Sequence, residues 1–354
     1  MAFLFGGIGK KDCIGSILYL RRRMMNFQYK KFCLNQTTEV KLLGRTLLDE
    51  GLHISWCNSG VELVFSGHRI EFEFAEYKTA DPVYMKAITE NGEQRFELFG
   101  SSPRVILDFE EDKAHPVTLI RVSELDDGLV LKRITVMGET PELLPVTDQK
   151  DLKIEFMGDS IVTGWGVLAP QDRAEYHGYE QDSTKSFAYM TAKLLNAEIR
   201  SEGWGGQGVW RNCAGQDDVQ FQEIFDMVIR GVKGYDHSQW IPDVFVLCCG
   251  TNDCAGGTTD EEMIREGNIL LDNIRRVYPD TKIIWTYGLM NGRLHGALER
   301  LIAMRKEQGD FNIWYLPLEK ITAEKEEIGA VGHPNVNSSI KVSKQLSELI
   351  QRIL

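Results

Sequence analysis

The chain has 354 residues, 43% hydrophobic and 26% charged, a composition of globular rather than disordered protein. That length suggests two domains rather than one core. A formal net charge of −12 argues against a nucleic-acid or anionic-membrane partner, because phosphate contacts need clustered Lys and Arg, and no apolar run is long enough to cross a bilayer.

In "MAFLFGGIGKKDCIGSILYLRRRMM" the apolar pieces are interrupted by Lys10, Lys11 and Asp12. Arg21-Arg22-Arg23 follows the apolar part, the reverse of a signal peptide. Residues 1–24 therefore read as an extension belonging to neither domain, with Met24 or Met25 as candidate natural starts, and the expected location is cytoplasmic. The cysteines agree with a reducing compartment. Cys13, Cys33, Cys57, Cys213, Cys248, Cys249 and Cys254 are odd in number and scattered. Cys248 and Cys249 sit in the apolar run "DVFVLCCG" as small buried hydrophobes. Cys254 is their only neighbour of ligand type, so no metal site is expected.

Residues 25–140 read as an all-β sandwich. Short alternating stretches ("HISWC", "VELVFSG", "RIEFEFAE", "YMKAITE", "RFELFG", "RVILDF", "VTLIRVSE", "VLKRITVMG") are separated by turn residues such as Asn58-Ser59-Gly60 and Asn91-Gly92. Residues 141–152, with two prolines, read as a linker. From 153 to 354 the texture changes to strands alternating with amphipathic helices. The strands are "KIEFMG", "AEIRSEG", "DVFVLCCG", "KIIWTYG" and "FNIWYLP", and helices are expected over Ser186–Asn196, Asp217–Gly231, Thr259–Tyr278, Gly296–Gln308 and Ser338–Ile353. That alternation indicates an α/β fold, a parallel sheet with helices on both faces in three layers. Ligands bind such sheets where loops leave the carboxyl ends of the strands.

The strand ends carry chemistry. "KIEFMG" runs straight into Asp159-Ser160, and "SEGWGGQGVWRN" follows the second strand. "CCGTNDCAGG" follows the third and contains Asn252, and "GAVGHPNVNSS" places His333 just before the last helix. A hydroxyl, exposed backbone N–H groups, a side-chain amide and an imidazole are the parts that acyl transfer needs. Each also has a plainer reading. Ser160 could be a helix cap, Gly206 a turn glycine and Asn252 a turn residue.

"GDSI", the glycine loop, "GTND" and "HPN", in this order, resemble the four blocks of the SGNH (GDSL-type) hydrolases over residues 151–354. With a sandwich in front, the whole chain resembles carbohydrate esterase family 2, which pairs an N-terminal jelly roll with an SGNH domain and removes acetyl groups from sugars. The resemblance implies Ser160 as nucleophile and His333 as base. It implies an oxyanion hole made by the Ser160 and Gly206 N–H groups and the Asn252 amide, with Gly205 as the rival to Gly206. It implies no cofactor and an acetylated oligosaccharide as substrate, of xylan or mannan type; a homo-oligomer stays open. Many SGNH enzymes carry Asp three residues before the histidine; Ala330 stands there. A Ser-His dyad, with a backbone carbonyl fixing the imidazole, is therefore expected. Glu326 and Glu327, the nearest acids, are expected on a solvated helix face. Trp165, Trp204, Trp210 and Trp285 lie near these loops as sugar-stacking candidates, each equally a core residue. Two other classes stay open: an esterase or lysophospholipase for other small or lipid esters, and a non-catalytic carbohydrate-binding protein.

Overall fold

In the computed structural model the described residues are 27–354 except 80, 125–127, 148 and 172. The extension expected over 1–24 lies outside them. The N-terminal half contains ten strands: β1 (Gln28–Phe32), β2 (Lys41–Leu43), β3 (Thr46–Leu48), β4 (Leu52–Ile54), β5 (Gly60–Phe74), β6 (Val83–Thr89), β7 (Gly92–Leu98), β8 (Arg104–Arg121), β9 (Leu129–Gly138) and β10 (Glu142–Leu144). All their pairings are antiparallel, in the order β3-β4-β9-β5-β8-β6-β7, with β1 on β9 and β2 and β10 on β5. Alternate residues of β5 and β8 point inward to one core that includes Leu63, Phe65, Phe72, Val105, Leu119, Ile134 and Val136.

Two expectations are corrected here. "VELVFSG" and "RIEFEFAE" form one strand, β5, and "RVILDF" and "VTLIRVSE" belong to one strand, β8. Ser66-Gly67-His68, where the two stretches meet, is an irregularity within the β5–β8 ladder, where the register shifts between Gly67 and Arg69. The segment 141–152 is not wholly a linker either, because its first residues form β10 and pair Glu142–Leu144 with Ser66–Val64 of β5.

The C-terminal half opens with β11 (Lys153–Gly158), α1 (Ser160–Thr163), α2 (Phe187–Leu194), β12 (Glu198–Gly203) and α3 (Phe221–Phe225). A small hairpin, β13 (Met227–Ile229) and β14 (Val232–Lys233), follows. Then come β15 (Val244–Cys248), α4 (Thr251–Ala255), α5 (Asp260–Val277), β16 (Lys282–Tyr287), α6 (His295–Glu307), β17 (Ile313–Pro317) and α7 (Val336–Ile353). The five long strands pair in parallel in the order β12-β11-β15-β16-β17.

Both faces of this sheet are covered, and β15 at its centre is apolar throughout. In β15, Val244, Val246 and Cys248 face α2 and α7, while Phe245 and Leu247 face α3, α5 and α6. The helix α5 is fixed at its start by a capping box: Thr259 Oγ1 accepts from the Glu262 N–H, and the Glu262 carboxylate accepts from the Thr259 N–H. The helix expected over Asp217–Gly231 is only the five residues of α3, after which the chain turns into the β13–β14 hairpin. Tertiary bonds from the sandwich override local propensity there, since Arg45 donates to the Phe225 and Met227 carbonyls and the Trp56 indole to that of Val228.

Candidate active site

The order β12-β11-β15 means that β11 is flanked by the strand that follows it on one side and by β15 on the other. A crevice opens at the carboxyl ends where the connections diverge. Ser160 follows β11, the glycine loop follows β12, and Asn252 follows β15.

The sharp turn after β11 requires glycine. A Cβ on Gly158 would lie 2.5 Å from the Cys248 carbonyl oxygen and from Val162 Cγ2. Asp159 caps α1, its Oδ1 accepting from the Ile161 N–H at 2.9 Å. Burial pushes the Asp159 carboxyl up to about 7, opposed by that hydrogen bond and reinforced by the charge of Asp253. Ser160 is the first residue of α1, so its N–H is among those a helix start leaves without an intrahelical acceptor.

Ser160 Oγ lies 2.8 Å from His333 Nε2 across the crevice. His333 Nδ1 lies 3.3 Å from the Val331 carbonyl oxygen, the acceptor that faces it. Val331 itself has φ +50°, a left-handed conformation that costs a β-branched residue ~1–3 kcal/mol. The surrounding bonds hold it: its N–H donates to the Arg173 carbonyl at 2.7 Å, and the His333 N–H to that of Ala330 at 3.0 Å. Trp165 covers the imidazole at 4.4 Å between centroids and is itself stacked on Tyr176 at 3.9 Å. Burial pushes the His333 pKa down to about 4, partly offset by the backbone bonds to Val331 and Ala330 and by the charge of Glu124.

Gly206, at φ +80°, turns the glycine loop in a conformation that favours glycine, and its N–H has no acceptor among the described residues. The Gly205 N–H, by contrast, donates to the Glu124 carboxylate. Of the two rival glycines, Gly206 is thus the one whose N–H has no protein acceptor among the described residues. Asn252 sits in the first turn of α4 and donates one amide hydrogen to the Gln207 carbonyl at 2.8 Å, leaving the other for the crevice.

Several contributors gave no signal by themselves in the sequence. Asp253, next to Asn252 in the chain, accepts from the N–H groups of Val209, Trp210 and Arg211 at 2.8, 2.8 and 3.1 Å and so clamps the loop. Its pKa is raised by burial, against the pull of those three bonds. Among the tryptophans, Trp285 is a core residue, fully buried and bonded to the Cys249 carbonyl, while Trp165 stands against His333. The expectation for the two glutamates is corrected. Neither lies on a helix: Glu326 is exposed in a turn at φ +54°, and Glu327 is buried, accepting from the Thr322 N–H and pairing with Lys341 at 3.2 Å. A cavity of about 250 Å³ between the domains, lined by Lys41, Ile88, Tyr189 and Lys193 among others, contains none of the site residues.

If the Asn252 amide holds an oxyanion, it acts chiefly in the transition state. Asn252→Ala is then expected to lower kcat by about 10²–10³ with much less change in KM. Steady-state kinetics on p-nitrophenyl acetate checks this; an unchanged kcat would leave Asn252 only a loop anchor.

Residues 156–320 match the model of the GDSL-like lipase/acylhydrolase family. The chain is 25% identical over 342 residues to an acetylxylan esterase/glucomannan deacetylase of Cellvibrio japonicus, covering 89% of each protein. Among solved structures it is similar to an acetyl xylan esterase from the rumen bacterium Butyrivibrio proteoclasticus, with TM-score 0.82 and 22% identity over 92% of this chain and 98% of that one. It is also similar to a family two carbohydrate esterase from Clostridium thermocellum in complex with cellohexaose, with TM-score 0.79 and 22% identity over 88% and 98%. The chain is therefore a carboxylic ester hydrolase with a GDSL-like lipase/acylhydrolase domain of the SGNH type behind an antiparallel β-sandwich, the architecture of the family 2 carbohydrate esterases.

Proposed function

We propose that this chain removes O-acetyl groups from plant polysaccharide-derived oligosaccharides of xylan or mannan type, through a Ser160–His333 dyad and an acetyl-enzyme. The observation that carries the dyad is the 2.8 Å contact of Ser160 Oγ with His333 Nε2, combined with a carbonyl rather than a carboxylate at Nδ1. The Val331 carbonyl accepts a hydrogen bond from Nδ1–H, which keeps the proton on Nδ1 and leaves Nε2 free as a base. The acetyl and sugar specificity is supported by the named activities of the relatives above.

His333 Nε2 takes the Ser160 proton as Oγ attacks the acetyl carbonyl. The Ser160 and Gly206 N–H groups and the Asn252 amide hold the oxyanion. Its collapse breaks the bond to the sugar oxygen, which takes the proton from His333. Water, deprotonated by His333, then attacks the acetyl-serine, and the second collapse breaks the bond to Ser160 Oγ, which takes the proton back from His333 as acetate leaves.

Acyl length tests this reading. Hydrolysis of p-nitrophenyl esters is expected to fall steeply from acetate to octanoate, and acetylated xylo- or manno-oligosaccharides should lose acetate by NMR. A preference for octanoate would move the function to lipid esters.

A further inference from the structure

The only carboxylate that bonds to the glycine loop from outside the hydrolase domain is that of Glu124 among the described residues. Glu124 lies three residues beyond the end of β8, in the sandwich domain. Its Oε1 accepts from the Gly205 N–H and from the Arg230 guanidinium at 2.7 Å, and both side chains are more than nine-tenths buried. Arg230 also donates to the Gly203 carbonyl at 2.8 Å and lies over the Trp204 ring at 4.7 Å, so the pair grips the loop at three successive residues.

The same residue reaches the nucleophile turn through its backbone. The Glu124 N–H donates to Gln181 Oε1 at 2.8 Å, and Gln181 Nε2 donates to the Thr163 carbonyl in α1 at 3.2 Å. The Tyr176 hydroxyl donates to that same Gln181 oxygen at 2.9 Å, and Tyr176 stacks on Trp165, which covers His333. A Cβ built on Gly205 would lie 3.2 and 3.3 Å from the two Glu124 oxygens and 3.4 Å from Ser160 Cβ. The Gly205 backbone is thus held between the carboxylate and the nucleophile. A buried carboxylate oxygen that takes a backbone N–H fixes that peptide plane firmly, because leaving either group unpaired is costly.

We propose that Glu124 is a positioning residue for the oxyanion hole: by accepting from the Gly205 N–H it fixes the Trp204–Gly205 peptide, and with it the point from which the next peptide presents the Gly206 N–H to the oxyanion, so that the sandwich domain completes the active site. This rests on the esterase reading above and adds to it a role for the other domain. The loss on removing Glu124 belongs in the transition state, where the oxyanion exists, rather than in substrate binding.

The test uses the full chain, with kcat and KM on p-nitrophenyl acetate, affinity for phenylboronic acid as a tetrahedral probe, and melting by circular dichroism. Glu124→Ala is expected to lower kcat by about 10–100-fold with KM within about threefold, and to weaken boronic-acid binding in parallel. Glu124→Gln keeps an oxygen that can accept the Gly205 N–H and should hold kcat within about fivefold of the parent. If the alanine variant does not fold, Glu124→Met combined with Arg230→Met removes the two charges of this pair together and carries the same expectation. A parent-like kcat and boronic-acid affinity in the alanine or double variant, or an equal loss in Glu124→Gln, would overturn the proposal. Neither result touches the esterase reading, which fails separately if Ser160→Ala remains active.

Discussion

Replacing His333 by alanine is expected to lower kcat by about 10⁴–10⁶ with the fold retained, the scale seen when a serine hydrolase loses its base. Glu326→Gln and Glu327→Gln should each change kcat by less than about tenfold. The reason is geometric. Glu327 is already engaged by the Thr322 N–H and Lys341, Glu326 faces solvent, and His333 Nδ1 meets the Val331 carbonyl instead. The pH profile carries the same argument. Burial holds the His333 pKa down at about 4, below the ordinary imidazole value of ~6.5, and only the neutral ring accepts the serine proton. The acidic limb of kcat/KM is therefore expected to fall near pH 4, with activity flat above about 5. The sign for stability is the opposite of protection. The unfolded chain takes the proton more readily, so stability declines as pH falls from about 6.5 toward 4, and folding must be checked at each point. A limb near 7, or a large loss in either glutamine variant, would contradict a dyad.

The largest stability effect is expected at Arg45. Its guanidinium crosses from the sandwich to the parallel sheet, 2.5 Å from Glu155 and 3.4 Å from Glu202, with all three side chains fully buried. It also donates to the Phe225 and Met227 carbonyls and lies 4.0 Å from the Tyr235 ring centre. Arg45→Leu removes the cation and leaves two buried carboxylates without it, a loss of about 3–5 kcal/mol. Thermal melting should fall by about 5–15 °C. Arg45→Lys, which keeps the charge but not the planar fork, should lose less. An Arg45→Leu variant within about 1 kcal/mol of the parent in urea unfolding would show that the cluster does not join the domains.

What could be read from the sequence was whatever is local. Gly158-Asp159-Ser160 announces a strand that ends in a forced turn, and His333 precedes a helix whose cap, Asn335, is two residues away. The unbroken apolar run of β15 and the boundaries of α5 follow from composition, periodicity and capping alone. What could not be read depends on partners distant in sequence. Ser66-Gly67-His68 interrupts the alternation but lies inside a ladder, because β8 pairs with β5 both before and after it. The segment after Phe225 has helical spacing, yet Arg45 and Trp56, about 170–180 residues earlier, draw its carbonyls into a hairpin. Glu327 sits among charges that suggest a solvated surface, and only packing against α7 buries it. Glu124 belongs by texture to the sandwich, and nothing around it points to a glycine loop 81 residues onward.

The central claim is that Ser160 is the nucleophile, and covalent labelling addresses it most directly. A serine-directed fluorophosphonate should add one equivalent to the folded protein, and peptide mass spectrometry should place it on Ser160. Ser160→Ala should melt like the parent, take no label and hydrolyse no p-nitrophenyl acetate above background. Label on another serine, or ester hydrolysis that persists in Ser160→Ala, would contradict the account.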